Sequence, residues 1–332
     1  MNASLKTILL ATDGSSDATL AGRAAADISS KTGAQLHVVH VWTDVPPPAY
    51  PSLVFDDYSR QAEEEARKLL RRQVWNAQVA GGSVAGSYVR EGRPVEEIVF
   101  LAEKLGADLV VVGRRGLGRV KRLITGSVSE GVVRRASCPV LVARGGEQAW
   151  PPVRIVVGDD GSLPAQKAGG LAMELADAFG TDVIFVRAHR DPVEPAGGWS
   201  ARQRLELDEA RLQNLLALDA DARQQRPEAP TRCRTMTKLA EGEPARAVLS
   251  VARQKRTQQT LLAVGSRGLG APRRMILGSV STRVLREAEG PVLVTPHGSR
   301  SMTGTRRPTP ARPRRGGGKA ETAKRVWPRR SR

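Results

Sequence analysis

A tandem internal repeat is the feature that most constrains this chain of 332 residues. Five sequence landmarks recur in the same order, and the offset between the two copies grows only from 147 to 152 residues. For example, "TILLATDGS" at 7–15 returns as "RIVVGDDGS" at 154–162, and "EGRPVEEIV" at 91–99 returns as "EGEPARAVL" at 241–249. A shared order of this kind indicates that one folding unit has been duplicated. The chain must therefore build the same core twice.

Within each repeat, short apolar segments alternate with amphipathic ones. "TILLAT", "QLHVVHVW", "DLVVVG" and "PVLVA" are rich in β-branched residues and largely lack polar alternation, which is typical of parallel strands buried on both faces. "SYVRE" at 87–91 is a shorter candidate strand. The helical patterns between them end at Gly33, Gly81 and Gly106, and one of them begins at Pro94. The resulting order β-α-β-α-β-α-β-α-β predicts an α/β fold with a right-handed, doubly wound parallel sheet in each repeat.

The predicted domains are residues 1–146 and 152–296, followed by a basic tail at 297–332. The tail contains twelve Lys or Arg and one Glu, so it carries +11 of the formal net charge of +18. Because it is rich in Arg, Pro and Gly and poor in apolar residues, we predict that it is disordered. Two roles for it are open: salt-dependent binding of nucleic acid, with Trp327 stacked on a base, or a solubilising or anionic-surface role.

Cysteine usage and hydropathy predict a cytoplasmic protein. Cys138 and Cys233 are the two cysteines, and one pair over this length cannot form a disulfide framework. No segment approaches the roughly 18 apolar residues that a membrane-spanning helix needs. We therefore expect a protein of a reducing compartment without a membrane span.

A glycine-rich segment of the first repeat is copied in the second. "GRRGLGRVKRLITGSVS" at 113–129 and "GSRGLGAPRRMILGSVS" at 265–281 are identical at 11 of 17 positions, and each follows an apolar strand and precedes a helix. Glycine permits positive φ and close backbone approach, and a helix N-terminus offers unpaired N–H donors to anions. Ligands of open parallel sheets bind beyond the carboxyl ends of the strands. The pattern predicts a phosphate-binding loop in each repeat; the alternative is a plain turn in which Ser127 and Ser279 are N-caps.

An aspartate follows the first strand of each repeat: Asp13 in "ATDGS" and Asp160 in "GDDGS". Its carboxylate can accept a hydrogen bond from a ribose hydroxyl or ligate a phosphate-bound cation. The alternative is an Asx-turn, which Asp followed by Gly-Ser favours. The neighbouring glycine loop leads us to favour ligand contact. The loop is neither a Walker A motif nor a dinucleotide fingerprint, because it lacks the lysine-tipped ending and follows the fourth strand.

The pattern G-2x-G-9x-G-[S/T] after strand four, the strand-one Asp and the closing "CPVLV" strand together resemble the universal stress protein family, in its tandem ATP-binding type. The resemblance covers residues 1–296. It implies two Rossmann-like domains, each with a five-stranded sheet in the order 3-2-1-4-5, and ATP bound at the switch point of each, with Mg²⁺ as an optional companion. It further implies that the two domains pack as an internal pseudo-dimer and that two chains pair as a homodimer.

The same resemblance assigns site residues. Asp13 would contact the ribose and the backbone of Val41 the adenine, with Asp160 and Ala188 at the matching positions of the second repeat. The residues implied to wrap the phosphates are Gly113, Arg114, Arg115, Gly116, Leu117, Gly118, Gly126, Ser127, Val128 and Ser129, and then Gly265, Ser266, Arg267, Gly268, Leu269, Gly270, Gly278, Ser279, Val280 and Ser281. The second repeat departs from the pattern in three ways: Asp159 adds an acid that could repel phosphates, Pro272 stiffens the loop, and Thr260 replaces the acid found at Asp108. These departures favour the first site.

The sequence offers no clear catalytic machinery. ATP hydrolysis needs a positioned water, a base and charge stabilisation, and no distinctive base is present. The loop arginines can supply cations or form a solvated face. The four histidines have no metal-ligand spacing, and Cys138 is interpreted as a packing residue. We predict an ATP-binding stress-response or regulatory protein whose nucleotide occupancy tunes its conformation or its partners, and not an enzyme; slow ATP hydrolysis is the open alternative.

The "PVLV" strands at 139–142 and 291–294 are expected to close each sheet at an edge. An exposed strand edge favours pairing with a like strand.

Overall fold

The computed structural model describes residues 5–43, 55–116, 126–189, 206, 209–210, 213, 233–254, 259–268 and 277–297. The strands are β1 (Thr7–Ala11), β2 (Gln35–Trp42), β3 (Val84–Glu91), β4 (Leu109–Gly113), β5 (Val140–Ala143), β6 (Arg154–Gly158), β7 (Asp182–His189), β8 (Thr235–Glu241), β9 (Thr260–Gly265) and β10 (Val292–Thr295). The helices are α1 (Ser16–Thr32), α2 (Phe55–Val79), α3 (Pro94–Leu105), α4 (Ser127–Arg135), α5 (Leu163–Phe179), α6 (Pro244–Arg253) and α7 (Ser279–Glu287). Apart from residue 297, the predicted tail lies outside the described residues.

The ten strands of the described residues form one sheet, in the order β3-β2-β1-β4-β5-β10-β9-β6-β7-β8. Within each repeat the neighbouring strands are parallel. Each half therefore has the strand order 3-2-1-4-5 and the doubly wound α/β topology, which confirms the predicted fold class.

The two halves join where β5 pairs antiparallel with β10, a contact that we call the seam. Val142 lies opposite Val292 and Val140 opposite Val294. The expected pairing of the two "PVLV" strands is confirmed, and it takes place within one chain. These strands consequently lie in the middle of the ten-stranded sheet, and the outermost strands among the described residues are β3 and β8.

Buried apolar side chains cover both faces of the sheet. One face packs against α1, α2 and α5, and the other against α3, α4, α6 and α7. Both faces are covered because every strand carries aliphatic residues in both directions, as parallel sheets require. No helix among the described residues is long and apolar enough to cross a bilayer.

The linker between the halves contributes to the core through Trp150. This side chain is 2% exposed, and its Nε1 donates a hydrogen bond of 2.9 Å to Asp27 Oδ2 on α1. Its ring meets Phe179 of α5 edge-on, with 5.2 Å between the ring centroids. Nearby, the backbone N–H of Leu5 donates to Glu174 Oε1 at 2.7 Å. The two halves are thus joined by side chains as well as by the seam.

The helix ends follow their local sequence. Gly33 and Gly106 stand at the C-terminal ends of α1 and α3 with φ of 73° and 63°, a left-handed conformation that favours glycine. Pro94 occupies the first turn of α3, as predicted. The third strand begins at Val84, three residues before the predicted start at Ser87. The pattern missed this beginning because Ala85 and Gly86 are residue types that are depleted in strands.

Candidate functional site

A cavity of about 350 Å³ opens at the carboxyl ends of β1 and β4 in the first half. This volume falls within the range of small-molecule sites. Its described lining comprises Ala11, Thr12, Asp13, Ala18, Val39, Val41, Pro94, Ile98, Val112, Gly113, Arg114, Arg115, Gly116, Gly126, Ser127, Val128 and Ser129. The structure therefore brings together the described residues predicted for the first site. Leu117, Gly118, Leu269 and Gly270 lie outside the described residues.

The floor of the cavity includes the start of α4. Gly126 is the N-cap, with an extended backbone (φ −68°, ψ 145°) and no side-chain capping bond, and Gly278 holds the same position before α7. The interpretation of Ser127 and Ser279 as N-caps is wrong, because each is the first residue inside its helix. Since no side chain caps α4, the backbone N–H groups of its first turn face the cavity as donors with partial positive charge.

Two serines inside these helices hold the loops in shape. The hydroxyl of Ser129 donates to the carbonyl oxygens of Arg114 at 2.9 Å and Gly126 at 3.0 Å. Ser281 makes the matching contacts with Ser266 at 3.0 Å and Gly278 at 3.1 Å. Both serines are buried, and through these hydrogen bonds their side chains order the loop.

The loop glycines are required by close packing. A Cβ on Gly113 would lie 2.7 Å from the backbone nitrogen of Ala18, and a Cβ on Gly126 would lie 2.8 Å from the carbonyl oxygen of Arg114. None of the six described glycines of the two loops has a positive φ. Close approach of the backbone therefore explains why glycine stands at these positions in the described part of each loop, and a need for positive φ does not.

Asp13 and Asp160 each begin a tight turn at the end of β1 or β6. Oδ1 of Asp13 accepts the N–H of Ser15 at 3.1 Å, and Oδ1 of Asp160 accepts that of Ser162 at 3.0 Å. The Asx-turn alternative is therefore correct for one oxygen of each carboxylate. The second oxygen of Asp13 lies against Gly116, where a Cβ would collide with it. Asp13 thus shapes the turn and also lines the cavity.

The second repeat reproduces the backbone arrangement of the first. Gly126 N–H donates to Arg114 O at 2.9 Å, and Gly278 N–H donates to Ser266 O at 2.7 Å. Likewise, Ser15 Oγ donates to Arg115 O at 3.0 Å, and Ser162 Oγ to Arg267 O at 3.3 Å. The predicted residues Asp160, Gly265, Ser266, Arg267, Gly268, Gly278, Ser279, Val280 and Ser281 accordingly meet at one sheet edge, with Ala188 half-buried on the neighbouring β7.

Asp159 does not stand alone beside the second site. It is buried and forms an ion pair with Arg187 of β7, whose side chain is 5% exposed, while its Oδ1 accepts the N–H of Gly161 at 3.1 Å. The matching pair in the first repeat is Thr12 and His40, joined by a 2.8 Å bond between His40 Nδ1 and the Thr12 carbonyl. The expectation that Asp159 repels phosphates without a cation omitted Arg187, which counters its charge. The sequence signal that could have identified this partner is Arg187, an arginine within the apolar run of β7.

Three arginines surround the first loop. Arg114 is half-buried, with Nε 3.8 Å from Asp17 Oδ2, and burial together with the charge of Arg115 lowers the pKa of its guanidinium. The Asp17 carboxylate also accepts the backbone N–H of Arg115 at 3.1 Å. Arg144, at the end of β5, is buried, and its pKa is lowered to about 10 by burial first and the Arg114 charge second. Sequence reasoning missed both Asp17 and Arg144.

Arg144 links the two halves. Its guanidinium donates to the carbonyl oxygens of Leu285 and, at 3.4 Å, of Arg286, at the C-terminal end of α7. A cation at this end complements the helix dipole. The residue therefore connects the edge of the first site with the helix that begins at the second.

Other titratable groups serve packing roles. His37 Nδ1 lies 3.1 Å from the Tyr88 hydroxyl. Cys138 is buried, and burial raises the pKa of its thiol to about 12, in agreement with the predicted packing role. Among the described residues, no group of three or more His, Cys, Asp or Glu side chains could hold a metal ion.

Comparison with known proteins agrees with the geometry. The model of the "Universal stress protein family" matches residues 4–144 and again 153–296. Universal stress protein Rv2005c of Mycobacterium tuberculosis is 32% identical over 301 residues, covering 86% of this chain and 96% of that protein. A universal stress protein of Mycolicibacterium smegmatis is 29% identical over 297 residues, with the same coverage.

Among solved structures, a universal stress protein from Archaeoglobus fulgidus superposes with a TM-score of 0.63 at 22% identity, covering 88% of this chain and 98% of that one. This likeness concerns the fold. The two matches to the family model cover most of the chain, one in each half. This chain therefore belongs to the universal stress protein family and carries the family's domain twice.

Proposed function

We propose that this stress-response protein binds ATP at both switch points and that nucleotide occupancy tunes its conformation or its partners. The observation that carries the proposal is the cavity at the ends of β1 and β4. It combines an apolar wall, one carboxylate and an uncapped helix start, and the second half repeats the same loop and helix geometry.

The two ends of the cavity suit the two ends of a nucleotide. Val39, Val41 and Ile98 supply an apolar wall for a base, on which the backbone of Val41 would contact adenine. The N–H groups at the start of α4 would hold the phosphates, since helix N-termini favour anions. Asp13 lies between them, beside the expected ribose. Mg²⁺ would enter with the phosphates, and Asp13 is the only acid among the described lining residues.

We propose binding without a catalytic role. Phosphoryl transfer to water requires a group that positions or deprotonates the water. The described lining contains no His, Glu, Lys or Cys, and one oxygen of Asp13 is engaged in its own turn. The arginines would supply charge to the phosphates and no base.

A route from the site to the seam supports conformational tuning. The backbone N–H of Arg114 donates to Ala143 O at 2.9 Å, and in the second half Ser266 N–H donates to Thr295 O at 2.8 Å. Ala143 and Thr295 end the two strands of the seam. A phosphate that moves either loop would therefore pull on the strand pair that joins the halves.

Substitution of one exposed serine in each half tests the proposal. Ser127→Glu and Ser279→Glu each add a carboxylate to the first turn of a helix, which stabilises the helix by about 0.3–1 kcal/mol but repels a phosphate. We expect isothermal titration with ATP and Mg²⁺ to give a stoichiometry of two for the unaltered chain, one for each variant and none for the double variant. Thermal unfolding temperatures should not fall.

Ser137→Glu is the matched control, because it adds the same charge at an exposed position outside the cavity lining. It should bind two ATP. Absence of ATP binding by the unaltered chain, or unaltered binding by the double variant, would refute the proposal.

We make two further proposals, on the oligomeric state of the protein and on its cellular location. Because the β5 and β10 edges are used within the chain, a homodimer, which we retain as a proposal, would form through another surface. Light scattering after size exclusion measures it directly. We also propose a cytoplasmic location, which two buried cysteines that form no disulfide favour.

The basic tail supports a second candidate function, nonspecific binding of nucleic acid or another anionic surface. Its net charge of +11 is the observation that favours it. The full chain should be retained on immobilised DNA up to a higher salt concentration than residues 1–296. Equal retention of the two proteins would exclude a role for the tail.

A further inference from the structure

We infer that the two nucleotide sites are not equivalent, and that Arg114 makes the first site prefer the more highly charged nucleotide. This inference rests on the proposed function. It starts from a difference between the repeats: Arg114 lines the first cavity, and the residue at the matching place in the second loop is Ser266.

Arg114 carries a positive charge that the protein only partly compensates. Its Nε is buried and has no hydrogen-bond partner among the described residues, and the nearest Asp17 oxygen lies 3.8 Å away, beyond hydrogen-bond length. That same oxygen accepts the backbone N–H of Arg115. Neighbouring cations add repulsion: burial and then the charge of Arg115 lower the pKa of Arg114, and burial and then the charge of Arg114 lower the pKa of the buried Arg144. An additional anionic group in the cavity would relieve this excess.

The described part of the second half does not contain this cluster. Ser266 is neutral and buried, and the positions matching Asp17 and Arg144 are Pro164 and Pro296. The additional charges there, Asp159 and Arg187, neutralise each other in a buried ion pair. Among the described residues of the second half, no cationic side chain therefore occupies the place of Arg114.

Arg114 and Ser266 have the same backbone contacts, so replacing Arg114 by serine isolates the effect of its charge. Both residues donate their N–H to the last residue of a seam strand, and both accept the N–H of the N-cap glycine and the hydroxyl of a buried serine. Serine is thus a side chain that this loop geometry already accommodates. By contrast, Arg115 and Arg267 occupy matching positions of the two loops, so they cannot cause a difference between the two sites.

The test compares AMP, ADP and ATP by titration in the Ser279→Glu background, where only the first site binds. Arg114→Ser and Arg114→Met should each lower the ratio of ATP to AMP affinity by about fivefold, the scale of one partly screened charge contact, while AMP affinity changes little. Arg114→Lys should retain the ratio. Arg134→Ser removes a cation of the same half that does not line the cavity, and should also retain it.

The outcomes separate this inference from the function on which it rests. If no nucleotide binds to the parent, the proposed function fails. If nucleotides bind and the neutral Arg114 variants keep the ATP to AMP ratio of the parent, the inference is overturned and the function stands. An equal drop in Arg114→Lys would also overturn it, because shape and not charge would then determine the preference.

Discussion

Replacement of Trp150 by alanine measures how strongly the linker joins the two halves. The side chain is 2% exposed, bonded to Asp27 at 2.9 Å and packed edge-on against Phe179. Deleting a buried Trp costs about 3–5 kcal/mol, because transfer free energy is lost and a cavity remains. Trp150→Phe keeps an aromatic ring but loses the bond to a carboxylate, which alone is worth about 1.5–3 kcal/mol. The free energy of unfolding should fall in both variants, and further in Trp150→Ala.

Equilibrium urea unfolding followed by far-ultraviolet circular dichroism gives these free energies by linear extrapolation. The matched control is Trp75→Ala, because Trp75 is 63% exposed on α2 and the same atoms are deleted. Its free energy of unfolding should change by less than about 0.5 kcal/mol. A loss below about 1 kcal/mol in Trp150→Ala, or an equal loss in the two alanine variants, would refute the assignment of Trp150 to the core.

Three further predictions concern other sites. Gly126→Val should weaken ATP binding more than Gly278→Val in titrations, because its Cβ would lie 2.8 Å instead of 3.3 Å from the nearest loop carbonyl oxygen; equal losses would contradict this. Asp159→Asn should lower the free energy of unfolding by about 3–5 kcal/mol, since Arg187 stays buried without its counter-charge. The double variant Asp159→Thr with Arg187→His, which copies the first repeat, should recover part of this loss. A smaller loss in Asp159→Asn would argue against a tight ion pair. The Cys138 thiol, with a pKa raised from 9.0 to about 12, contributes stability below pH 9 that is lost as pH rises towards 12. Urea unfolding at pH 8 to 10.5 should show this fall, and Cys138→Ala should flatten it; an unchanged slope would contradict it.

The sequence predicts those parts of the fold that local pattern determines. Apolar runs and the order of elements suffice for a doubly wound sheet, and the copied landmarks suffice for two of them. The pairing of the "PVLV" strands could also be anticipated, because an apolar strand edge needs a partner.

Side-chain partners that are distant in sequence were not predictable in the same way. Trp150 and Asp27 are separated by 123 positions, and Arg144 reaches carbonyl groups about 140 positions away. No local period encodes such contacts, since they depend on how finished elements pack.

The candidate site shows a different limit of prediction from sequence. The sequence identified Asp13 and the glycines but could not distinguish turn formation from ligand contact, because a carboxylate has two oxygens and the structure uses one of them for the turn. For the loop glycines, spacing could not distinguish a need for positive φ from a need for close approach. Only the positions of Ala18 and of the loop carbonyl groups decide between these causes.

The antiparallel seam has a geometric consequence for the two candidate sites. Every strand of a half runs in the direction of its neighbours, and the direction reverses once, between β5 and β10. The carboxyl ends of the two sets of strands therefore point towards opposite edges of the ten-stranded sheet, and the two switch points open in opposite directions. A partner docked at one end of the strands would contact the loop of one site only. If the proposed function holds, two partners could therefore bind at opposite ends of the sheet, each next to a different nucleotide site, while the seam connects the two sites.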